Sequence, residues 1–279
     1  MEIKINNKVL DVKLDNEKTV GEILMNVEKW LTESGHRISE INIDGQLIAS
    51  SMIEEAFQRE IKDIKTIDVQ TNAIAELTAA SLLNLVEDIN EYESLNFDKK
   101  ADYFKEWEKS ATAAFLNTEA PDLYGFCVSA FSRGDIAVST LLSITEEIQR
   151  EVNEPLAELK KIEQIVNEIC AKLIDLPLDI QTGKDAQAAK TIQVFSAVTE
   201  KLFRIFRQLD IQGYFINVYE SRKKISALIS EFGKTIKELL EAYEKNDYVL
   251  VGDLSEYEAS VKLKELYSSI SGNCQKSNL

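Results

Sequence analysis

The chain has 279 residues, 44% hydrophobic and 29% charged, a globular balance that excludes wholesale disorder and leaves room for two domains. Its net charge of −16 disfavours nucleic acid and anionic lipid as general partners. With only 10 Gly and 3 Pro, long helices are favoured over a many-turned sandwich. Residues 2–6 and 8–14 read as two strands, because Ile3 and Ile5, then Leu10, Val12 and Leu14, alternate with polar residues. Asn6-Asn7 between them suits a two-residue hairpin, since Asn tolerates positive φ. This alternating start lacks the basic and apolar regions of a secretory leader, and no apolar run approaches a membrane span. Cys127, Cys170 and Cys274 are far apart and odd in number, which fits reduced thiols in a cytoplasm.

Thr19 with Glu22 has capping-box spacing and opens a helix carrying Ile23, Leu24, Val27, Trp30 and Leu31. Gly35 suits its end. Ile38, Ile41 and Ile43, the Asp44-Gly45 turn, and Leu47-Ile48 read as a strand with a tight return. Ser51 with Glu54 offers a second capping box for a short helix to about Glu60, and Ile64, Ile67 and Val69 read as a last strand. In this order and length, with the opening hairpin, the Thr-capped helix and the Ile43-Asp44-Gly45-Gln46-Leu47 turn, residues 1–70 resemble the ubiquitin-like β-grasp family. The resemblance implies a conjugated tag, a sulfur carrier or a binding module. The first two need a terminal Gly-Gly, whereas Val69-Gln70-Thr71-Asn72 leads straight into a helix, so a fused binding or packing module is implied.

From residue 71 the pattern is helical. Ile74, Leu77, Leu82, Leu85, Val86 and Ile89 mark one amphipathic helix. Asp98 is the expected cap of a second, with Tyr103, Phe104, Trp107 and Ala111 on it, and Pro121 starts a third that runs to about Ser132. Arg133-Gly134-Asp135 reads as a helix stop followed by a cap, in preference to an integrin-type signal. Apolar residues from Leu141 to Leu176 recur three or four apart, and Pro155 interrupts them without shifting their phase. A kinked continuous helix over 136–176 is favoured over a break at Asn153-Glu154-Pro155; it would be about 60 Å long and have coiled-coil character. Pro177 is expected to end it, and Asp185 to cap the next helix, which carries Ile192, Phe195, Val198, Leu202, Ile205, Phe206 and Leu209. Gly213 marks a joint before a helix through Leu239 and Tyr243, and Asn246-Asp247 turns into the last one. The expected class is α+β: a β-grasp-like domain at 1–70, an elongated helical bundle at 71–271 and a polar tail at 272–279.

The search for chemistry yields little. Gly183-Lys184 lacks the remaining positions of a phosphate loop. His36 is the single histidine, so neither a di-metal bundle nor a zinc cluster is supported, and no cofactor is assigned. The carboxylate pairs Glu54-Glu55, Glu87-Asp88, Glu146-Glu147 and Glu256 with Glu258 read as solvent-facing, and Cys127 and Cys170 as core. Two basic groups stand out on this acidic chain: Lys201, Arg204 and Arg207 on one helix face, and Arg222, Lys223 and Lys224 beyond Gly213. Joined, they would dock an acidic partner; the alternative is pairing with acids of the bundle. Phe206 and Phe215, in a cluster with Phe203, Tyr214 and Tyr219, would line a helix-accepting groove if exposed and a core if not. The expected function is a non-enzymatic adaptor, chaperone or assembly factor with a protein partner. A self-associating structural protein and a small-molecule-binding helical protein or enzyme are the competing expectations.

Overall fold

The computed structural model describes residues 1–10, 17–49, 52–134, 136–216 and 218–274. The Val12 and Leu14 end of the second strand, the Ser51 and Asp135 caps, and the tail from residue 275 lie outside the described residues. The chain divides into two compact units, Met1–Gly134 and Asp135–Leu279. Helices between residues 74 and 134 therefore group with the N-terminal sheet.

The first unit opens with β1 (Glu2–Ile5), β2 (Lys8–Val9), α1 (Val20–Glu33), β3 (His36–Ile43), β4 (Gln46–Leu47), α2 (Ile53–Phe57) and β5 (Thr66–Ala73). The sheet order is β2-β1-β5-β3-β4. β1 and β5 are parallel; the other neighbours are antiparallel. Pairing sets Ile3 beside Ile67, Ile67 beside Ile43, and Val69 beside both Ile5 and Ile41. One sheet face is thereby apolar, and it packs on Val20, Ile23, Leu24 and Leu31 of α1. Ile38 and Ile41 are three apart, so plain alternation would send them to opposite faces. The register shift between Ile38 and Glu40 corrects this, and Ile38 joins the same core.

The local chemistry read from the sequence is in place here. Asn6 and Asn7 both have positive φ (49° and 64°), as do Asp44 and Gly45 (51° and 83°), which matches the twist of tight hairpins. Both arms of the Thr19–Glu22 capping box form. Asp44 also receives the backbone N–H groups of Lys65 and Thr66 at 2.9 and 2.7 Å, which ties its turn to β5 and lowers its pKa.

β5 passes directly into α3 (Ile74–Ser94), followed by α4 (Phe97–Trp107), α5 (Ala111–Glu119), α6 (Pro121–Val128) and a π turn over Ser129–Arg133. Asn96, not Asp98, occupies the N-cap of α4; Asp98 sits in the first turn, where its charge suits the helix dipole. Ala111 belongs to a separate helix, which Ser110 caps. Arg37 of β3 reaches Glu28 of α1 at 3.1 Å and Glu119 of α5 at 2.7 Å, joining sheet and helices within this unit.

The second unit contains α7 (Val138–Asn153), α8 (Pro155–Lys161), α9 (Glu163–Gln181), α10 (Asp185–Ile211), α11 (Val218–Glu244), α12 (Tyr248–Asp253), a π turn over Leu254–Ala259, and α13 (Ser260–Asn273). The continuous helix over 136–176 does not form. Glu154 leaves helical space (φ −135°, ψ 55°), and Pro155 starts α8 at its first position. The residue before a proline is driven out of the α region, while proline itself suits a helix start, so a break costs less than a kink. Pro177 does not end its helix either. It lies inside α9, which runs to Gln181 and stops before Gly183 (φ 71°). The Pro177 ring fits against Gly252, where an added Cβ would meet its carbons at 3.3 Å. Lys184 takes the N-cap position of α10, with Asp185 in the first turn. One core runs through this unit, from Val166, Leu173 and Leu176 through Phe195, Leu202 and Ile205 to Phe232, Leu263 and Leu266. Cys170 Sγ donates to the Ser260 carbonyl at 3.3 Å, so α9 and α13 lie in direct contact.

Candidate functional site

The richest cluster of ionisable groups in the second unit is formed by α7, α8 and α10. Glu147 and Glu151 are one turn apart on α7, Glu158 stands on α8, and Lys201 and Arg204 are one turn apart on α10. Arg204 grips Glu151 with a two-pronged contact, Nε to Oε2 at 2.8 Å and Nη2 to Oε1 at 2.9 Å, and touches Glu147 at 3.4 Å. Lys201 Nζ donates to Glu147 and Glu158, each at 3.1 Å, and is 3.8 Å from Glu151. Lys161 closes the ring with a 2.7 Å bond to Glu158.

Glu151 has no exposed surface and Glu158 is 3% exposed. Burial raises the Glu151 carboxyl above its ordinary value, opposed by Arg204 and Lys201. Burial also works against the Glu158 carboxylate, but hydrogen bonds from Lys161 and Lys201 outweigh it and hold its pKa down. Burial lowers Lys201 and Arg204 in turn, and the facing carboxylates more than restore them. Three carboxylates thus meet three cations, and the whole acts as a clamp across three helices.

The sequence-selected residues divide among different environments. Lys201 and Arg204 are turned into this clamp. The alternative of pairing within the bundle is the one that forms, with Glu147, Glu151 and Glu158 as partners. Arg207 is exposed on the next turn of α10. Arg222 donates to Asp210 at 2.7 Å, while Lys223 and Lys224 are exposed. Phe215 is 2% exposed and belongs to the core, and the partly buried Phe206 packs on it, with ring centroids 5.5 Å apart. Phe215 is held there by a bridge to Cys274 and by the Ile216 N–H to the Asn273 carbonyl. Sequence pattern alone does not set Glu151 and Glu158 apart from the many other acids of the chain. Their signal is the four-residue step from Glu147 to Glu151, matched by the three-residue step from Lys201 to Arg204.

A second cluster lies in the first unit. Asp88 accepts the Trp107 indole N–H at 3.0 Å, and Tyr92 donates to the Phe131 carbonyl in the π turn at 2.8 Å. Lys100 stands 4.7 Å from the centre of the Tyr92 ring. Asp88 is half-buried, not solvent-facing, and burial raises its pKa. Cys127 is fully buried beside it, its thiol pushed up to about 12 by burial. His36 Nδ1 lies 2.8 Å from the Ser34 carbonyl at the end of α1. Among the described residues, no group of three or more His, Cys, Asp or Glu could hold a metal ion, and no helix is long and apolar enough to cross a membrane.

Two family models match parts of the chain. The one described as the TP0873 N-terminal domain covers residues 1–73, ending at the last residue of β5. A domain of unknown function (DUF8042) covers residues 157–269, from α8 into α13. No solved structure matches. The chain is also similar, with 19% identity over 270 residues, to an "Uncharacterized protein" of Treponema pallidum (strain Nichols), covering 97% of this chain and 96% of that relative.

Proposed function

We propose that this protein works by binding another protein, as a cytoplasmic, non-enzymatic adaptor, chaperone or assembly factor whose N-terminal module is ubiquitin-like. The sheet order β2-β1-β5-β3-β4, with parallel β1 and β5 at its centre and α1 across one face, supports the likeness to the β-grasp fold. The observation that carries the proposal is the junction at Ala73. This residue ends β5 and is the N-cap of α3, so the module has no free strand end to join to another molecule. A module of that kind acts through its surface. The ionisable clusters of both units are engaged internally, in the clamp on Glu151 and in the Asp88–Trp107 contact, which supports a structural use for them.

Affinity capture of the tagged full chain from its native cell extract at moderate salt tests the proposal. A specific partner in stoichiometric amount is the expected result. Recovery of the chain alone, before and after cross-linking, would overturn it.

A further inference from the structure

α12, the π turn and α13 form one run from Tyr248 to Asn273. On it, Val249, Tyr257 and Val261 are 78%, 66% and 55% exposed. On a plain α-helix of 3.6 residues per turn, positions 249 and 261 would stand about 120° apart. The π turn over Leu254–Ala259 holds roughly one extra residue, which turns the later positions back and leaves the two within about 20°. The π turn thus lines up three large apolar side chains along one outward ridge, while Leu254, Ala259, Leu263 and Leu266 stay in the core. Tyr248 and Leu250, at 45% and 43%, widen its start.

The charge along the ridge itself is acidic, with lysines beyond its two ends. Between Asn246 and Val261 the chain carries Asp247, Asp253, Glu256 and Glu258, and neither Lys nor Arg. Asp253 is exposed, one turn from Val249 and one from Tyr257. Of the lysines beyond the ends, Lys245 bridges to Glu241 at 3.5 Å and Lys262 is engaged with Glu258 at 2.8 Å and with Thr235 at 2.7 Å, while Lys264, one turn past Val261, is exposed and leaves the acidic margin centred on Asp253 and Glu256.

We propose that the Val249–Tyr257–Val261 ridge is the docking strip for an amphipathic helix of a partner protein, one whose apolar stripe is bordered by Lys or Arg. The assignment rests on the protein-binding function proposed above and names the surface and the partner's chemistry. Apolar contact supplies affinity and the Asp253 and Glu256 margin selects a basic partner. A second copy of this chain is disfavoured as occupant, because each copy carries a charge of −16.

The test uses the full chain and two labelled 18-residue synthetic helices, each with a leucine stripe, one bordered by lysines and the other by glutamates. Fluorescence anisotropy should give about tenfold tighter binding of the lysine peptide, weakening as salt is raised. The triple variant Val249→Ser, Tyr257→Ser, Val261→Ser should lose about tenfold in affinity or more. Ile165→Ser, at an exposed apolar position on α9, should leave binding unchanged. Asp253→Lys keeps the apolar ridge and should shift preference toward the glutamate peptide. All these positions are exposed, and a circular-dichroism melt of each variant confirms folding. Equal affinity for the two peptides, or undiminished binding by the triple variant, overturns the assignment. So does self-association of the wild type, or binding to phosphatidylserine vesicles, that the triple variant loses. Native capture repeated with the triple variant separates the two proposals. A partner retained there ends the ridge assignment and leaves the protein-binding function standing; no partner on either chain ends the latter.

Discussion

Arg204 and Glu151 face each other across α10 and α7 with both prongs of the guanidinium engaged, at 2.8 and 2.9 Å, and the Glu151 carboxylate has no solvent contact. Removing the cation would strand a buried charge. Arg204→Ala is expected to destabilise the second unit by about 3 kcal/mol, the low end for a broken buried pair because Arg204 keeps an exposed edge. The double variant Glu151→Leu, Arg204→Met should recover most of that loss. Calorimetric melting of the three proteins checks both statements.

The clamp's two buried acids should respond to pH with opposite sign. Glu158 has a folded pKa held below 4.5, so its contribution to stability is present above the unfolded value and fades as pH falls through the folded one. Glu151 has a folded pKa raised above 4.5, so its ionisation works against folding as pH rises through that raised value. Glu158→Gln should flatten the acid limb of a plot of Tm against pH, and Glu151→Gln should steepen it.

Gly252 and Gly233 both sit in helical segments of the second unit, but only Gly252 meets a neighbour. Gly233→Ala should stabilise by about 0.5–1 kcal/mol, the ordinary gain in an open helix. At Gly252 the new Cβ would press on the rigid Pro177 ring at 3.3 Å. Overpacking of about 1–3 kcal/mol outweighs the same gain, so Gly252→Ala should lower stability. Urea titration of the two variants gives the contrast directly.

Thr19→Ala removes the side chain that caps α1 and one arm of the capping box. A loss of about 1 kcal/mol in the first unit is expected. Thr19→Ser should restore most of it, and thermal melts followed by the signal of Trp30 on α1 will show whether it does.

The thiols should be inert in the native protein. Burial pushes Cys127 up to about 12 and Cys274 up to about 11, and Cys170 is raised as well. Ellman's reagent at pH 8 should find almost no reactive thiol before denaturant is added and all three cysteines afterwards. Rapid native labelling of Cys127 would show that its site opens to solvent.

Some features were legible from neighbouring residues alone. The positive φ of Asn6, Asn7, Asp44 and Gly45, and the Thr19–Glu22 box, depend on a residue's own backbone preferences and on partners within one turn. The apolar spacing likewise determined that a small sheet precedes a long helical series. Pro155 and Pro177 mark the limit of such reading. The sequence favours a kink at Pro155 and a stop at Pro177, yet the helix breaks at the first and runs on through the second. What the ring of Pro177 packs against is also set outside its own helix: it sits on Gly252, a residue far along the chain that has no side chain to crowd it. The candidate site obeys the same division. That Lys201 and Arg204 share a helix face followed from their spacing. That the face is turned to Glu147, Glu151 and Glu158 followed from how α7, α8 and α10 pack, because a charge on a helix is exposed or paired according to what lies opposite it.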